Sequence, residues 1–81
     1  MNIVVLGGCG DMGSYVVREL LESSEATVTI ADYREAEAKR LAAELGERAK
    51  GIFVDANNED SLLLALRGAD VAVGCIGPFY A

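Results

Sequence analysis

A short apolar segment that breaks into glycines and restarts as a helix constrains this chain more than any other feature. Residues 3–6 are all apolar, as in a strand buried on both faces, and a glycine-rich segment, residues 7–13, follows directly. We expect Gly8 to allow the tight turn, Gly10 to let a pyrophosphate approach the backbone, and Gly13 to let the helix pack closely on the sheet. The pattern predicts an anion-binding turn at the N-terminus of a helix.

The context of these glycines favours nucleotide binding over an ordinary turn. A second apolar segment, residues 27–31, ends at Asp32, about 20 residues after the glycines. A carboxylate there can accept hydrogen bonds from ribose hydroxyls but would repel the 2′-phosphate of NADP, so Asp32 predicts a preference for NAD. Arg34 is most simply a solvated side chain. It also leaves a preference for NADP open, because a guanidinium turned toward the 2′-phosphate would favour that cofactor.

Composition excludes several classes of protein. The 81 residues carry a formal net charge of −6, which argues against nucleic acid or an anionic membrane as a partner. Two cysteines and no histidine provide neither a Cys/His metal cluster nor a histidine-based triad. No apolar run approaches the roughly 20 residues of a membrane span, and no basic segment precedes the first strand, so we expect a cytoplasmic protein.

The chain alternates strands and helices with short connections. The predicted strands are residues 2–7, 27–31, 52–54 and 71–75. Gly46 is placed to cap the second helix, which is expected from Arg34 to Leu45, and Asn57 or Asn58 to cap the third. With right-handed crossovers, this β-α-β-α-β-α-β order predicts an α/β fold, a doubly wound parallel sheet of the Rossmann type with strand order 3-2-1-4, incomplete beyond the fourth strand.

Apolar stripes at helical spacing are expected to pack on this sheet. The predicted core positions are Met12, Val16, Val17, Leu20 and Leu21 in the first helix, Ala38, Leu41, Ala42 and Leu45 in the second, and Leu62, Leu63 and Leu66 in the third. Exposed i, i+4 ion pairs are expected between Glu35 and Lys39 and between Glu44 and Arg48.

Residues suited to ligand binding follow several of the strands. Gly8, Asp32, Asp55 and Gly77 all fall at carboxyl ends of predicted strands. In open parallel sheets, ligands bind beyond these ends, at the point where the strand order reverses. We therefore expect one crevice to use these residues together.

Several short motifs succeed one another along the whole chain. They are Gly8-x-Gly10-x-Met12-Gly13, Val28-Thr29-Ile30-Ala31-Asp32, Ala38-x-x-Leu41-Ala42-x-x-Leu45-Gly46, Val54-Asp55, Gly68-Ala69-Asp70-Val71 and Gly77-Pro78-Phe79. Together they resemble the amino-terminal part of the saccharopine dehydrogenase family. The first three are shared by many nucleotide-binding domains, and the Gly77-Pro78-Phe79 ending is the most distinctive.

The resemblance implies the cofactor-binding part of an NAD(P)-dependent oxidoreductase that acts on an amino-acid-derived C–N bond. It places the following residues at the cofactor: Gly8, Gly10, Asp11, Met12 and Gly13 at the pyrophosphate, Asp32 at the adenosine ribose, Asp55 and Ala56 at the adenine, and Cys75 to Gly77 at the nicotinamide side. Tyr33 and Arg34, which adjoin Asp32, are also predicted to contact the cofactor. From the residues alone, Asp11 is explained as well by the helix dipole and Asp55 by a turn.

In such enzymes the rest of the dinucleotide-binding domain and a substrate domain follow. Residues 1–81 would then be the amino-terminal portion of that domain, and the chain would not be catalytic on its own. We predict no catalytic residue and no metal ligand in it. We expect a homo-oligomer, or association with the remainder of a longer chain, because the fourth strand ends an open sheet with an unpaired edge.

Two alternatives remain open at this level. Gly7-x-x-Gly10-x-x-Gly13 is also the spacing of short-chain and atypical reductases, whose catalytic Tyr-x-x-x-Lys is not found among these residues. A non-catalytic nucleotide sensor would use the same glycine-rich turn to control a partner. A substrate domain in the full-length sequence would favour an enzyme, whereas tandem nucleotide-binding units would favour a regulator.

Overall fold

The described part of the chain folds into a four-stranded parallel sheet with helices on both faces. The computed structural model describes residues 1–8 and 10–74. The strands are β1 (Asn2–Leu6), β2 (Thr27–Asp32), β3 (Ala49–Phe53) and β4 (Val71–Gly74), and the helices are α1 (Asp11–Ser23), α2 (Glu35–Leu45) and α3 (Glu59–Leu66). The order β3-β2-β1-β4 confirms the predicted topology, and every neighbouring pair in it is parallel.

Alternate side chains of the central strands pack on opposite faces of the sheet. The face toward α1 and α2 buries one cluster: Ile3, Val5, Val17, Leu21, Ala26, Val28, Ile30, Ala38 and Ala42. The face toward α3 buries a second one: Val4, Ala31, Val54 and Ala65. Because both faces of β1 and β2 are covered, these strands are apolar throughout rather than alternating, which is why the sequence reveals them.

The third strand begins earlier than the sequence predicts. It was expected at residues 52–54, but β3 spans Ala49–Phe53. Its ladder with β2 pairs Ala49 with Val28 and Phe53 with Asp32. Pairing with an already buried strand therefore outweighs the low strand propensity of Lys50 and Gly51.

Gly51 allows α2 to pack directly against the backbone of β3. A Cβ at this position would lie 2.6 Å from the backbone N of Lys39 and would overlap the backbone of Ala38. Ala38 itself is fully buried. No pattern in the sequence indicates this role of Gly51, because the role arises from the distance between two elements.

We expect Gly51→Ala to lower the free energy of unfolding by about 2 kcal/mol, since the added methyl meets backbone atoms that cannot rotate away. Gly74→Ala is the matched control: it is also a strand glycine, but a Cβ there has no neighbour within 4 Å in the described part of the chain. The control should change stability by less than about 1 kcal/mol. Urea denaturation followed by circular dichroism measures both, and equal losses would contradict the close approach of α2 and β3.

Two residues predicted to be in the core lie at the surface. Met12 is 71% exposed and Leu63 is 62% exposed. In α3 the buried residue is Ala65, with Leu62 and Leu66 half-buried beside it. The prediction for Leu63 was wrong because the run Leu62-Leu63-Leu64 fits more than one helical stripe, and only packing decides which side faces the sheet.

Arg48 binds the end of α1 instead of pairing with Glu44. Its Nη2 donates to the Leu21 carbonyl at 2.6 Å, and its Nη1 donates to the carbonyls of Ser24 at 2.8 Å and Ala26 at 3.3 Å. Within residues 1–8 and 10–74, no ion pair joins Arg48 to Glu44. The predicted pair is therefore wrong, because the carbonyls at a helix C-terminus lack partners and attract a cation.

The capping and pairing predictions for the other helices are confirmed. Gly46 is the C-cap of α2 with φ 106°. Asn58 is the N-cap of α3, and its Oδ1 accepts a hydrogen bond from the Ser61 N–H at 3.1 Å. Lys39 Nζ lies 2.9 Å from Glu35 Oε2.

Arg48→Ala should lower the free energy of unfolding by about 1–2 kcal/mol, because several carbonyl groups lose a charged donor. Glu44→Ala should stay within about 0.5 kcal/mol of the unaltered protein, as a surface substitution without a partner does. Thermal and urea denaturation of the two variants provide the comparison. Similar losses in both would support the pair with Glu44 and contradict the contact with α1.

Candidate functional site

The site begins at the turn that joins β1 to α1. Gly7 has φ 79°, the left-handed conformation that glycine adopts without a steric cost. Its N–H donates to the Ala31 carbonyl at 2.7 Å, and the Gly10 N–H donates to the Gly7 carbonyl at 3.2 Å. The tight turn therefore lies at Gly7, one residue before the predicted position at Gly8, and β1 ends at Leu6.

Gly8 and Gly13 are required by close packing. A Cβ on Gly8 would lie 2.7 Å from Cγ2 of Ile30, inside the core of the sheet. A Cβ on Gly13 would lie 2.7 Å from the Cα of Gly8 and would overlap the carbonyl of Gly7. Gly13 thus allows close packing as predicted, but its contact is with the backbone of the turn. The first helical turn of α1 consequently lies directly on the backbone of Gly7 and Gly8, which we call the glycine turn.

The N-terminus of α1 provides donors suited to an anion. Gly10 is the N-cap, in an extended conformation, and no side chain within residues 1–8 and 10–74 caps the helix. The Ser14 N–H donates to the Gly10 carbonyl at 2.8 Å, so the N–H groups of Asp11, Met12 and Gly13 have no acceptor within the helix. Among the described residues, a Cβ on Gly10 would meet only the Gly7 carbonyl, at 3.6 Å, which leaves room for phosphate oxygens beside these donors. These residues fit a dinucleotide pyrophosphate.

The two glycines at the start of α1 should respond differently to a methyl group. Gly13→Ala should cost about 2 kcal/mol or more of stability, because the helix must move away from the turn. Gly10→Ala should change stability by less than about 1 kcal/mol, since its backbone is extended and its Cβ has space. Chemical denaturation distinguishes them, and a stable Gly13→Ala variant would contradict the contact between helix and turn.

Asp32 lies beside the glycine turn, at the carboxyl end of β2. Ala31, which precedes it, accepts the Gly7 N–H bond, so the two segments are directly linked. Asp32 is 6% exposed, and its Oδ1 accepts a hydrogen bond from the Arg34 N–H at 2.9 Å. The carboxylate is therefore held in place by the backbone of the following turn.

Arg34 bridges two carboxylates. Its Nε lies 3.4 Å from Asp32 Oδ1, and its Nη1 lies 3.3 Å from Glu37 Oε2. The Arg34 side chain is 52% exposed, so it is solvated as expected, but it also contacts two carboxylates. Glu37 is a candidate site residue that was not predicted. The i, i+3 spacing of Arg34 and Glu37 at the start of a helix was the signal that could have found it.

An aromatic pair lies at the carboxyl ends of β2 and β3. Tyr33 is 73% exposed and Phe53 is 45% exposed, and their ring centroids lie 6.0 Å apart with the planes tilted by 47°. Phe53 is opposite Asp32 in the β2–β3 ladder. Tyr33, which was predicted as a site residue, is thus beside Asp32 and accessible at the carboxyl end of β2.

Asp55 and Ala56 lie just beyond β3. The Asp55 N–H donates to Ser61 Oγ at 2.9 Å, and Asp55 Oδ1 accepts a hydrogen bond from the Asn57 N–H at 3.0 Å. This arrangement is a turn stabilised by an aspartate side chain. The structural explanation of Asp55 therefore holds, and Ala56 is exposed beside it.

The remaining predicted site residues, Cys75 and Gly77, lie outside the described residues, as does the Pro78-Phe79 ending. In the described part of the chain, no group of three or more histidines, cysteines and acidic residues could hold a metal ion. Over the same residues, no helix is long and apolar enough to cross a membrane.

A parallel sheet of order 3-2-1-4, a glycine turn on an uncapped helix N-terminus and an acid at the end of the second strand define a Rossmann-type dinucleotide-binding unit. The chain belongs to the family described as the saccharopine dehydrogenase NADP binding domain, whose family model matches residues 3–81. The resemblance drawn from the sequence motifs is thereby confirmed. No curated protein sequence matches the chain.

Solved oxidoreductase structures share the fold. A 3-hydroxyacyl-CoA dehydrogenase type-2 from Mycobacterium avium is 36% identical, with a TM-score of 0.82 over 96% of this chain and 33% of its own. Sorbitol-6-phosphate 2-dehydrogenase SrlD from Erwinia amylovora is 31% identical, with a TM-score of 0.83 over 98% and 35%.

A third similar structure, the Pseudomonas aeruginosa RhlG/NADP active-site complex, is 25% identical with a TM-score of 0.80 over 95% of this chain and 34% of its own. The chain therefore spans about a third of the length of the solved structures that it matches.

Proposed function

We propose that this chain is the cofactor-binding part of an oxidoreductase and that it binds the adenosine diphosphate half of NAD. The observation that carries the proposal is the direct packing of the uncapped α1 N-terminus on the glycine turn, with Asp32 linked to that turn through Ala31. This arrangement aligns several N–H donors and one carboxylate at one edge of the sheet, as a nucleotide with a pyrophosphate and a ribose requires.

Each part of the nucleotide has a chemically suitable partner. In our proposal the N–H groups of residues 11–13 donate to the pyrophosphate, and Asp32 accepts hydrogen bonds from the adenosine ribose. We also propose that Tyr33, Asp55 and Ala56 lie toward the adenine, and Cys75 and Gly77 remain predictions for the nicotinamide side. The bound cofactor would supply hydride transfer, and the residues of this chain bind and orient it.

We propose NAD rather than NADP as the preferred cofactor, although the family is described as NADP-binding. Asp32 is nearly fully buried, so its charge is poorly screened and would oppose a 2′-phosphate. Arg34, the residue that could reverse this preference, is engaged with Asp32 and Glu37. These contacts support the preference that the carboxylate alone predicts.

The substrate is proposed from family membership: an amino-acid-derived molecule with a C–N bond to be oxidised or formed. A second candidate, a reductase of the short-chain type, is favoured by the positive φ of Gly7, since Gly7 opens the alternative glycine spacing. Dehydrogenase assays of the full-length protein distinguish the two candidate functions. A secondary amino acid is the test substrate for the first, and a 3-hydroxyacyl thioester is the test substrate for the second. A cytoplasmic location and association with a second copy or a longer chain also remain predictions.

Isothermal titration calorimetry with ADP-ribose and 2′-phospho-ADP-ribose tests the nucleotide proposal. We expect ADP-ribose to bind at millimolar concentration or tighter and about fivefold more tightly than its 2′-phosphate. Asp32→Asn should change that ratio about tenfold toward the 2′-phosphate, because the acceptor for the Arg34 N–H stays while the charge is lost.

Asp60→Asn is the matched control for this charge change, because Asp60 is an exposed acid at the start of α3, on the other face of the sheet. Its affinity ratio should equal that of the unaltered chain. Failure of folded protein to bind either nucleotide would contradict the proposed function. Tenfold tighter binding of the 2′-phosphate by the unaltered chain, about 1.4 kcal/mol, would contradict the NAD preference alone.

A further inference from the structure

Arg34 is held between one buried and one exposed carboxylate, and this asymmetry gives Glu37 a role. We propose that Glu37 is a positioning residue that keeps the Arg34 guanidinium on Asp32 and thereby disfavours nucleotides with a 2′-phosphate. The inference rests on the proposed function, since it concerns selectivity at the same nucleotide site.

The contacts indicate which of the two carboxylates can move away from Arg34. The Asp32 side chain is 8% exposed and also accepts the Arg34 N–H at 2.9 Å, so it is fixed at the end of β2. The Glu37 side chain is 47% exposed and lies in the first turn of α2, where the helix dipole favours a negative charge. The position of the guanidinium therefore depends on Glu37, an exposed residue that can be substituted without disturbing the core.

The nitrogens involved determine how the guanidinium can meet a phosphate. A guanidinium binds a phosphate best through two parallel hydrogen bonds, from Nε with Nη2 or from Nη1 with Nη2. In Arg34, Nε faces Asp32 and Nη1 faces Glu37, so each of these two edges contains one nitrogen already beside a carboxylate. A 2′-phosphate must displace one of the two acids, and Glu37 is the more accessible.

Glu37→Gln tests the inference by calorimetry with ADP-ribose and 2′-phospho-ADP-ribose. We expect the variant to bind the 2′-phosphate about fivefold more tightly, while its affinity for ADP-ribose changes less than about twofold. The matched control is Glu35→Gln, which makes the same change of charge in the same helical turn but removes the pair with Lys39. Its affinity ratio should equal that of the unaltered chain.

Arg34→Ala and the double variant Arg34→Ala with Glu37→Gln show whether Glu37 acts through Arg34. We expect the gain from Glu37→Gln to vanish when Arg34 is absent. A gain that persists undiminished would show direct repulsion by Glu37 and overturn the positioning role.

Two further results separate this inference from the proposed function. If both nucleotides bind but Glu37→Gln and Glu35→Gln have the same affinity ratio, the inference fails and the proposed function stands. If neither nucleotide binds to the folded, unaltered chain, the proposed function fails and this inference fails with it.

Discussion

Backbone contact between the first turn of α1 and the glycine turn after β1 sets the geometry of the candidate site. Because Gly13 has no side chain, the helix approaches Gly7 and Gly8 to within contact of their main-chain atoms. The N–H groups at the helix start are thereby held beside the carboxyl end of β1. The hydrogen bond from Gly7 to Ala31 joins this unit to β2, so the N–H donors of α1 and Asp32 belong to one hydrogen-bonded arrangement.

Local groups must attract an anionic cofactor here, because the chain as a whole is acidic, with a formal net charge of −6. Backbone N–H groups and a helix dipole act over short distances and are little affected by distant surface charge. The side-chain charges nearest to the site have a different effect. Asp32, Arg34 and Glu37 form a group with one net negative charge, and this charge is the basis on which we propose that ribose hydroxyls are preferred to a 2′-phosphate.

Much of the fold could be predicted, because its signals are local. The apolar segments before Gly7 and Asp32, the cap at Asn58 and the order of elements each depend on neighbouring residues. The predictions that were wrong concern contacts between elements distant in sequence, or positions in one helix that the sequence pattern cannot tell apart. Arg48 has carbonyl partners more than 20 residues away, and Leu63 differs from Leu62 only in the side of α3 that it occupies. Neither property is encoded in a short pattern.

The sequence by itself determined the strand order, the family and the presence of a glycine turn followed by an acid at the end of a strand, since periodicity and spacing express these features directly. Only the tertiary structure decided that the tight turn lies at Gly7, that Gly51 must lack a side chain against α2, and that Arg34 is shared by two acids. The physical reason is that spacing along the chain predicts which residues can meet. Their actual contacts depend on how closely helices and strands pack.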